Sequence, residues 1–283
     1  MHSPRFLTEP LRRTLAGTVR RTFNDKSKGE RPVQPSDDAL IPRGSVAWRV
    51  HGDVTTMMVG GISGLLLQML HPAALAGVWD HSNFRKDMLG RLRRTARFIA
   101  MTTYGHREDA DMLIAKVRRI HAQVQGDLPD GRRYSAEDPR LLAWVHVTGE
   151  MSFLEAWIRH AQPHMSRADQ DGFFADVAVI AERLGADPIP RSRSEAEALI
   201  ESFVPELKPD QRTATVRDLI LRPPGTGLAA LPVQQLLSQA AVALLPDWAR
   251  RMHGLRRHAL AQPAISAGVR GLGTSLRWAL APR

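Results

Sequence analysis

The sequence predicts an all-α protein. Three observations carry that expectation. Apolar residues recur at spacings of three and four over most of the chain. Capping residues precede these stretches and glycines close several of them. Alternating strand patterns are almost absent.

Residues 1–43 are expected to form a basic N-terminal arm, interrupted by Pro10, Pro32, Pro35 and Pro42. Leu7, Leu11, Leu15 and Val19 share a helical face there, with Arg12, Arg13, Arg20 and Arg21 around them. Such a helix can lie on a membrane surface or dock on the protein's own core. Arg20-Arg21 looks like a twin-arginine start, but no apolar stretch follows, so the expectation is a cytoplasmic protein.

A single helical domain is expected over residues 44–262, with a loosely held tail at 263–283 apart from a short helix around Arg277. The run Val54–Trp79 holds 26 residues without a formal charge, long enough to span a bilayer. Gln68 and the His71-Pro72 break argue instead for a buried helix that stops at the proline. Gly60 and Gly64 within it have the spacing of a close helix contact. Asp87–Tyr104 and Arg107–Gln125 are periodic, and each ends at a glycine. Asp138 with Pro139 opens a helix that runs to about His160. Ser166–Leu184 stops at Gly185. Ser194 with Glu197 reads as a capping box for the next helix. Shorter helices follow near 211–221, 231–245 and 247–261.

Composition narrows the chemistry. The chain has no cysteine, which excludes disulfides, thiolate-held metals and thiol nucleophiles. The formal charge of +10 favours anionic partners. Of the 39 basic residues 34 are arginine, but they are spread along the chain, so nucleic-acid readout is not expected. No phosphate-binding loop, nucleophile elbow or His-Glu-x-x-His stretch is present.

What remains are polar residues on apolar helix faces. Ile114, Val117, His121 and Val124 share one face, so His121 is expected to point inward and to need a hydrogen bond or a ligand. Arg91, Arg94, Thr95 and Phe98 form one stripe, either a polar pocket lining or a solvated face. His71 stands at the proline break. His146 and Glu150 have the i, i+4 spacing of two metal ligands, but no third ligand is evident.

Several stretches, in this order, resemble the MpaB/latex-clearing-protein (rubber oxygenase) catalytic domain family. They are Leu70-His71-Pro72, Trp79-Asp80-His81-Ser82, Arg91-Leu92-Arg93-Arg94-Thr95, Tyr104-Gly105, Val117–His121, Val124-Gln125-Gly126 and Tyr134 through His146. The resemblance covers about residues 45–165. It implies a globin-like helical domain with a buried haem b pocket, using dioxygen on a small apolar, unsaturated substrate of prenyl, terpenoid or lipid-like kind. Arg118 to His121 matches the family's Arg-x-x-His stretch, which makes His121 the implied iron ligand. His146 and His71 are further candidates for contact with the cofactor. Arg91, Arg94 and Thr95 match the distal Arg-x-x-Lys-Thr stretch, with arginine in place of lysine. An arginine stays protonated and does not ligate iron. The distal glutamate of rubber oxygenases has no counterpart in 54–79. That departure favours a bacterial relative over a rubber oxygenase itself, and admits a non-catalytic haem- or lipid-binding protein as the alternative. Peripheral membrane contact through the N-terminal arm completes the expectation.

Overall fold

The structure is a computed structural model that describes residues 5–24, 29–223 and 227–281. About 70% of the chain is helical, in thirteen α-helices among the described residues, with one two-stranded hairpin. The all-α expectation holds.

The architecture is organised around α3 (Val54–Gln68), which is apolar all round and largely buried. Its principal partner is α7 (Pro139–His160). The two backbones approach closely because glycines face the contact. A Cβ on Gly60 would stand 2.8 Å from both Phe153 Cα and the Ser152 carbonyl oxygen. A Cβ on Gly64 would meet Gly149 Cα at 3.3 Å. Asp53 caps α3, accepting from Thr56 N–H at 2.8 Å, and pairs with Arg277 at 2.5 Å.

The chain turns sharply after α3. His71 caps α4 (Pro72–His81), and the two helices are bent by 104°. Proline at the first position of α4 costs no hydrogen bond there. The freed carbonyls at the end of α3 have partners: Leu66 O accepts from His253 Nε2, Gln68 O from Trp144 Nε1, and Leu70 O from Lys208 N–H. Among the described residues no single helix is long and apolar enough to cross a membrane, although this bent pair would pass by length and composition together.

Around this centre lie α2 (Val46–His51), α5 (Met88–Tyr104), α6 (Arg107–His121), α8 (Arg167–Leu184), α9 (Arg193–Phe203), α10 (Gln211–Leu221) and α11 (Leu231–Leu244). The N-caps Asp87, Asp138 and Ser166 each accept a backbone N–H of the helix they open. Gly185 closes α8 in the left-handed conformation, φ +88°.

Four local readings differ. Helix α6 stops at His121, and Gln125–Asp127 pairs with Arg133–Ser135 as an antiparallel hairpin, turned by Pro129-Asp130-Gly131 with Gly131 at φ +82°. The cap of α9 is Ser192, which accepts from Glu195 N–H at 3.3 Å. Glu197 instead pairs with Arg193 at 2.7 Å. Helix α12 (Asp247–Met252) ends early because Gly254, at φ +64°, reverses the chain. The segment read as a tail holds the 19-residue helix α13 (Gln262–Leu280), whose Ile265 and Val269 are buried.

Helix α1 (Arg5–Phe23) packs against α13. Arg12 donates to the Ala279 carbonyl at 3.2 Å and to the Ala281 carbonyl, supplying partners at a helix C-terminus. Leu15 and Val19 are half-buried and Leu11 is exposed, while the side chains of Leu7 and Arg21 lie outside the described residues.

The glycine contact yields a paired prediction. Gly60→Ala should destabilise the fold by about 1–3 kcal/mol, because backbone rather than a side chain must move. Gly61→Ala meets nothing nearer than Phe153 Cε1 at 3.8 Å and should be neutral or stabilise by up to about 1 kcal/mol. Urea denaturation of both variants checks this, and equal effects would refute it.

Candidate functional site

The core contains two buried acids among the described residues, Asp53 and Glu150. Asp53 is used as cap and ion-pair partner. Glu150, on α7, faces His51 at the end of α2. His51 Nε2 lies 3.0 Å from Glu150 Oε2, and His51 Nδ1 lies 2.9 Å from the hydroxyl of Thr103 on α5. Burial pushes the Glu150 carboxyl up, but the charge and hydrogen bond of His51, with His146 behind them, bring it below its ordinary value. A carboxylate only accepts, so His51 Nε2 carries the proton of this bond. Phe153 and Phe173 hold the His51 ring edge-on at 5.8 and 5.5 Å between ring centres.

His146 stands one turn before Glu150, as the i, i+4 spacing requires. Its Nε2 is buried and has no hydrogen-bond partner. Burial lowers its pKa against the pull of Glu150, so the ring is neutral at pH 7. His146, Glu150 and His51 thus form one polar seam inside an apolar interior.

The other sequence candidates are placed elsewhere. His121 closes α6 and is half-buried, and its ring makes no hydrogen bond to the described residues. Burial lowers its pKa against the opposing pull of Glu137, so the imidazole is neutral at pH 7. Arg118, one turn earlier, is exposed. Arg91 is half-buried and donates to Ser82 Oγ at 2.9 Å. Burial, then the neighbouring Arg94, lowers its pKa. It borders a small cavity of about 10 Å³ with Leu65, Met69 and Phe84, barely room for one water. Arg94 and Thr95 are exposed: Arg94 pairs with Asp87 at 3.4 Å, and the Thr95 hydroxyl donates to Arg91 O at 3.2 Å. His71 is a helix cap, with Nδ1 accepting from Ala73 N–H at 3.2 Å and Nε2 3.8 Å from Glu206. Burial lowers its pKa more than Glu206 raises it.

No three His, Asp or Glu side chains are placed to hold a metal ion among the described residues. What the described residues offer a ligand is single imidazoles rather than a cluster. His121 and His146 both offer a neutral ring with a nitrogen to spare.

The described residues form a mostly helical domain with a buried histidine–carboxylate seam. The chain matches, over residues 48–278, the family described as ER-bound oxygenase mpaB/B'/Rubber oxygenase, catalytic domain. It belongs to that family. The match begins in α2 and ends in α13, so the His51 seam and most of the last helix lie within it. Comparison with curated proteins and with solved structures found no match.

One buried histidine stands apart from these groups. His160, at the end of α7, has neither ring nitrogen hydrogen-bonded. Burial, reinforced by Arg159 and Arg270, pushes its pKa down to about 4 from an ordinary 6.5. As pH falls, the unfolded chain binds the proton first, so stability falls from about pH 6.5 to about pH 4 and levels below that. His160→Phe should remove one share of that loss. Its denaturation midpoint should depend less on pH across this window than the parent's, and an unchanged slope would assign the loss to other groups.

Proposed function

We propose that this chain is a haem-dependent oxygenase acting with dioxygen on an apolar, unsaturated substrate of prenyl, terpenoid or lipid-like character. The observation that carries the reading is its membership of the oxygenase family over residues 48–278. A globin-like arrangement of the helices around buried haem is part of the proposal.

His121 is the residue that would hold the haem iron. Its support is the neutral, hydrogen-bond-free ring, the protonation state ligation needs. Arg118, exposed one turn away, is suited to an anionic propionate at the protein edge. Arg91, half-buried, would direct N–H donors toward a bound group, with Arg94 and Thr95 exposed on the same helix. His146 and His71 are the remaining imidazoles assigned to the cofactor's surroundings. Haem b, when bound, supplies the iron centre at which dioxygen is activated. The chain supplies apolar walls from α3 that exclude water, and Glu150, which keeps a proton on His51 Nε2. Glu150 is the buried acid not spent on capping, so the lack of a carboxylate in 54–79 leaves it as the interior proton acceptor.

That same lack favours a second reading, a haem- or lipid-binding protein without turnover. Purification with haem supplementation tests the first step: a Soret band is expected. His121→Ala should lose stoichiometric haem while keeping its helical circular dichroism. Full retention would move the ligand to His146 or His71. Turnover of a prenyl substrate by the parent protein separates oxygenase from binder.

We further propose that the protein is cytoplasmic and touches membranes peripherally through α1, where Arg13, Arg20 and Leu11 are exposed. Charge screening beyond about 8–10 Å at physiological ionic strength should let high salt or carbonate release it from membranes. Release by detergent alone would put Val54–Trp79 in lipid.

A further inference from the structure

A cavity of about 630 Å³ opens between the end of α10, the middle of α11, the segment 254–258 and the start of α13. That volume is within the range of roughly 300–1,000 Å³ that accommodates small molecules. Its walls are apolar where Leu221, Val242, Leu255 and Ile265 meet. Its rim carries Arg222, Arg256 and Arg257, and none of its lining residues is acidic.

Arg222 lies close enough to Asp218 to lower the pKa of that acid, whereas the other two rim charges stand without a carboxylate. Arg256 and Arg257 are exposed and have no carboxylate partner among the described residues. Behind the wall Arg159 donates to the Ala243 carbonyl at 3.0 Å. Arg159 and Arg250 both feel Arg257 as a like charge, second only to burial in lowering their pKa values. Guanidinium groups gathered against like charge lower their energy by accepting an anion. Two polar side chains of α11 are engaged: Gln234 Nε2 donates to Ser238 Oγ at 3.1 Å, and Ser238 Oγ donates to Leu221 O at 3.2 Å, while the amides of Gln235 and Gln239 also line the cavity. The arginines are the charged donors the cavity offers a ligand.

A small hydrated anion would use the rim and leave the apolar walls wet. An uncharged apolar molecule would use the walls and leave the rim repulsive. We propose that this cavity binds a single-chain amphiphile with an anionic head group, its chain among Leu221, Val242 and Ile265 and its head on Arg256 and Arg257. The site lies on elements other than those of His121 and Arg91, and does not rest on the oxygenase reading.

Isothermal titration of the purified full-length chain tests this with laurate, dodecyl phosphate, dodecanol and inorganic phosphate, each below its micelle-forming concentration where one exists. At least one of the two anionic amphiphiles should bind at one per chain, and the tighter of them identifies the head group as carboxylate or phosphate. Dodecanol should bind about tenfold or more weakly, as expected when a charge-assisted contact is lost. Arg256→Gln/Arg257→Gln should weaken the anionic amphiphiles by a similar factor and leave dodecanol unchanged. Val242→Trp should fill the cavity and abolish both. Circular dichroism and melting verify that each variant folds, and the glutamine pair carries the test if the tryptophan variant does not. Equal binding of dodecanol and the anions, no binding of either amphiphile, or inorganic phosphate binding as tightly as dodecyl phosphate would overturn the proposal.

Discussion

The approach of α3 to α7 is the constraint on which the rest of the structure depends. With Gly60 against the Phe153 backbone and Gly64 against Gly149, the two helices meet without intervening side chains. The stabilisation comes from dispersion and burial over a long apolar surface. Phasing α7 by this contact sets the direction of Glu150 and His146. Glu150 reaches α2 and α5, and so joins three helices through one imidazole and one hydroxyl. A single added methyl at Gly60 would separate elements whose polar groups have no water to turn to.

The turn after α3 shows how the fold accommodates an uncharged run that is longer than its core is wide. A continuous helix through residue 79 would project beyond the packed centre. His71 and Pro72 divert the chain, and three donors distant in sequence take up the exposed carbonyls. One donor, His253, lies 187 residues further on. Using Nε2 for this bond leaves its Nδ1 buried without a partner. Closing the helix end leaves one imidazole nitrogen unsatisfied beside it.

Much of this was legible because it is local. The caps Asp87, Asp138 and Ser166, the glycine after α8 and the proline break are decided within one or two turns, and composition reports them directly. The hairpin at 125–135 was hidden by an amphipathic period that runs past the end of α6, although Pro129-Asp130-Gly131 signals its turn. Ser192 and Ser194 are equally good caps by residue type, and the carboxylate of Glu195, which accepts Arg191 N–H at 2.7 Å, selects the first. The site was legible only in part. His146 with Glu150 follows from spacing, whereas His51 gives no local sign: its partner is 99 residues away. Arg91 and Arg94 share a stripe by offset, but the helix cap Asp87 draws Arg94 outward. A helical wheel states which residues are neighbours and not which edge of the stripe is covered.

The partnership of α3 with late helices has a consequence for how the chain is made. Helices α7, α11 and α13 all pack on α3, and the last of them ends at Leu280. At about 5–20 residues per second of synthesis, a nascent chain that has just completed Trp79 waits on the order of ten seconds or more before α11 and α13 exist. Through that interval the least polar stretch of the protein has left the ribosome without its final cover. The segment that becomes the centre of the finished fold is therefore also the one that waits longest for its cover during synthesis.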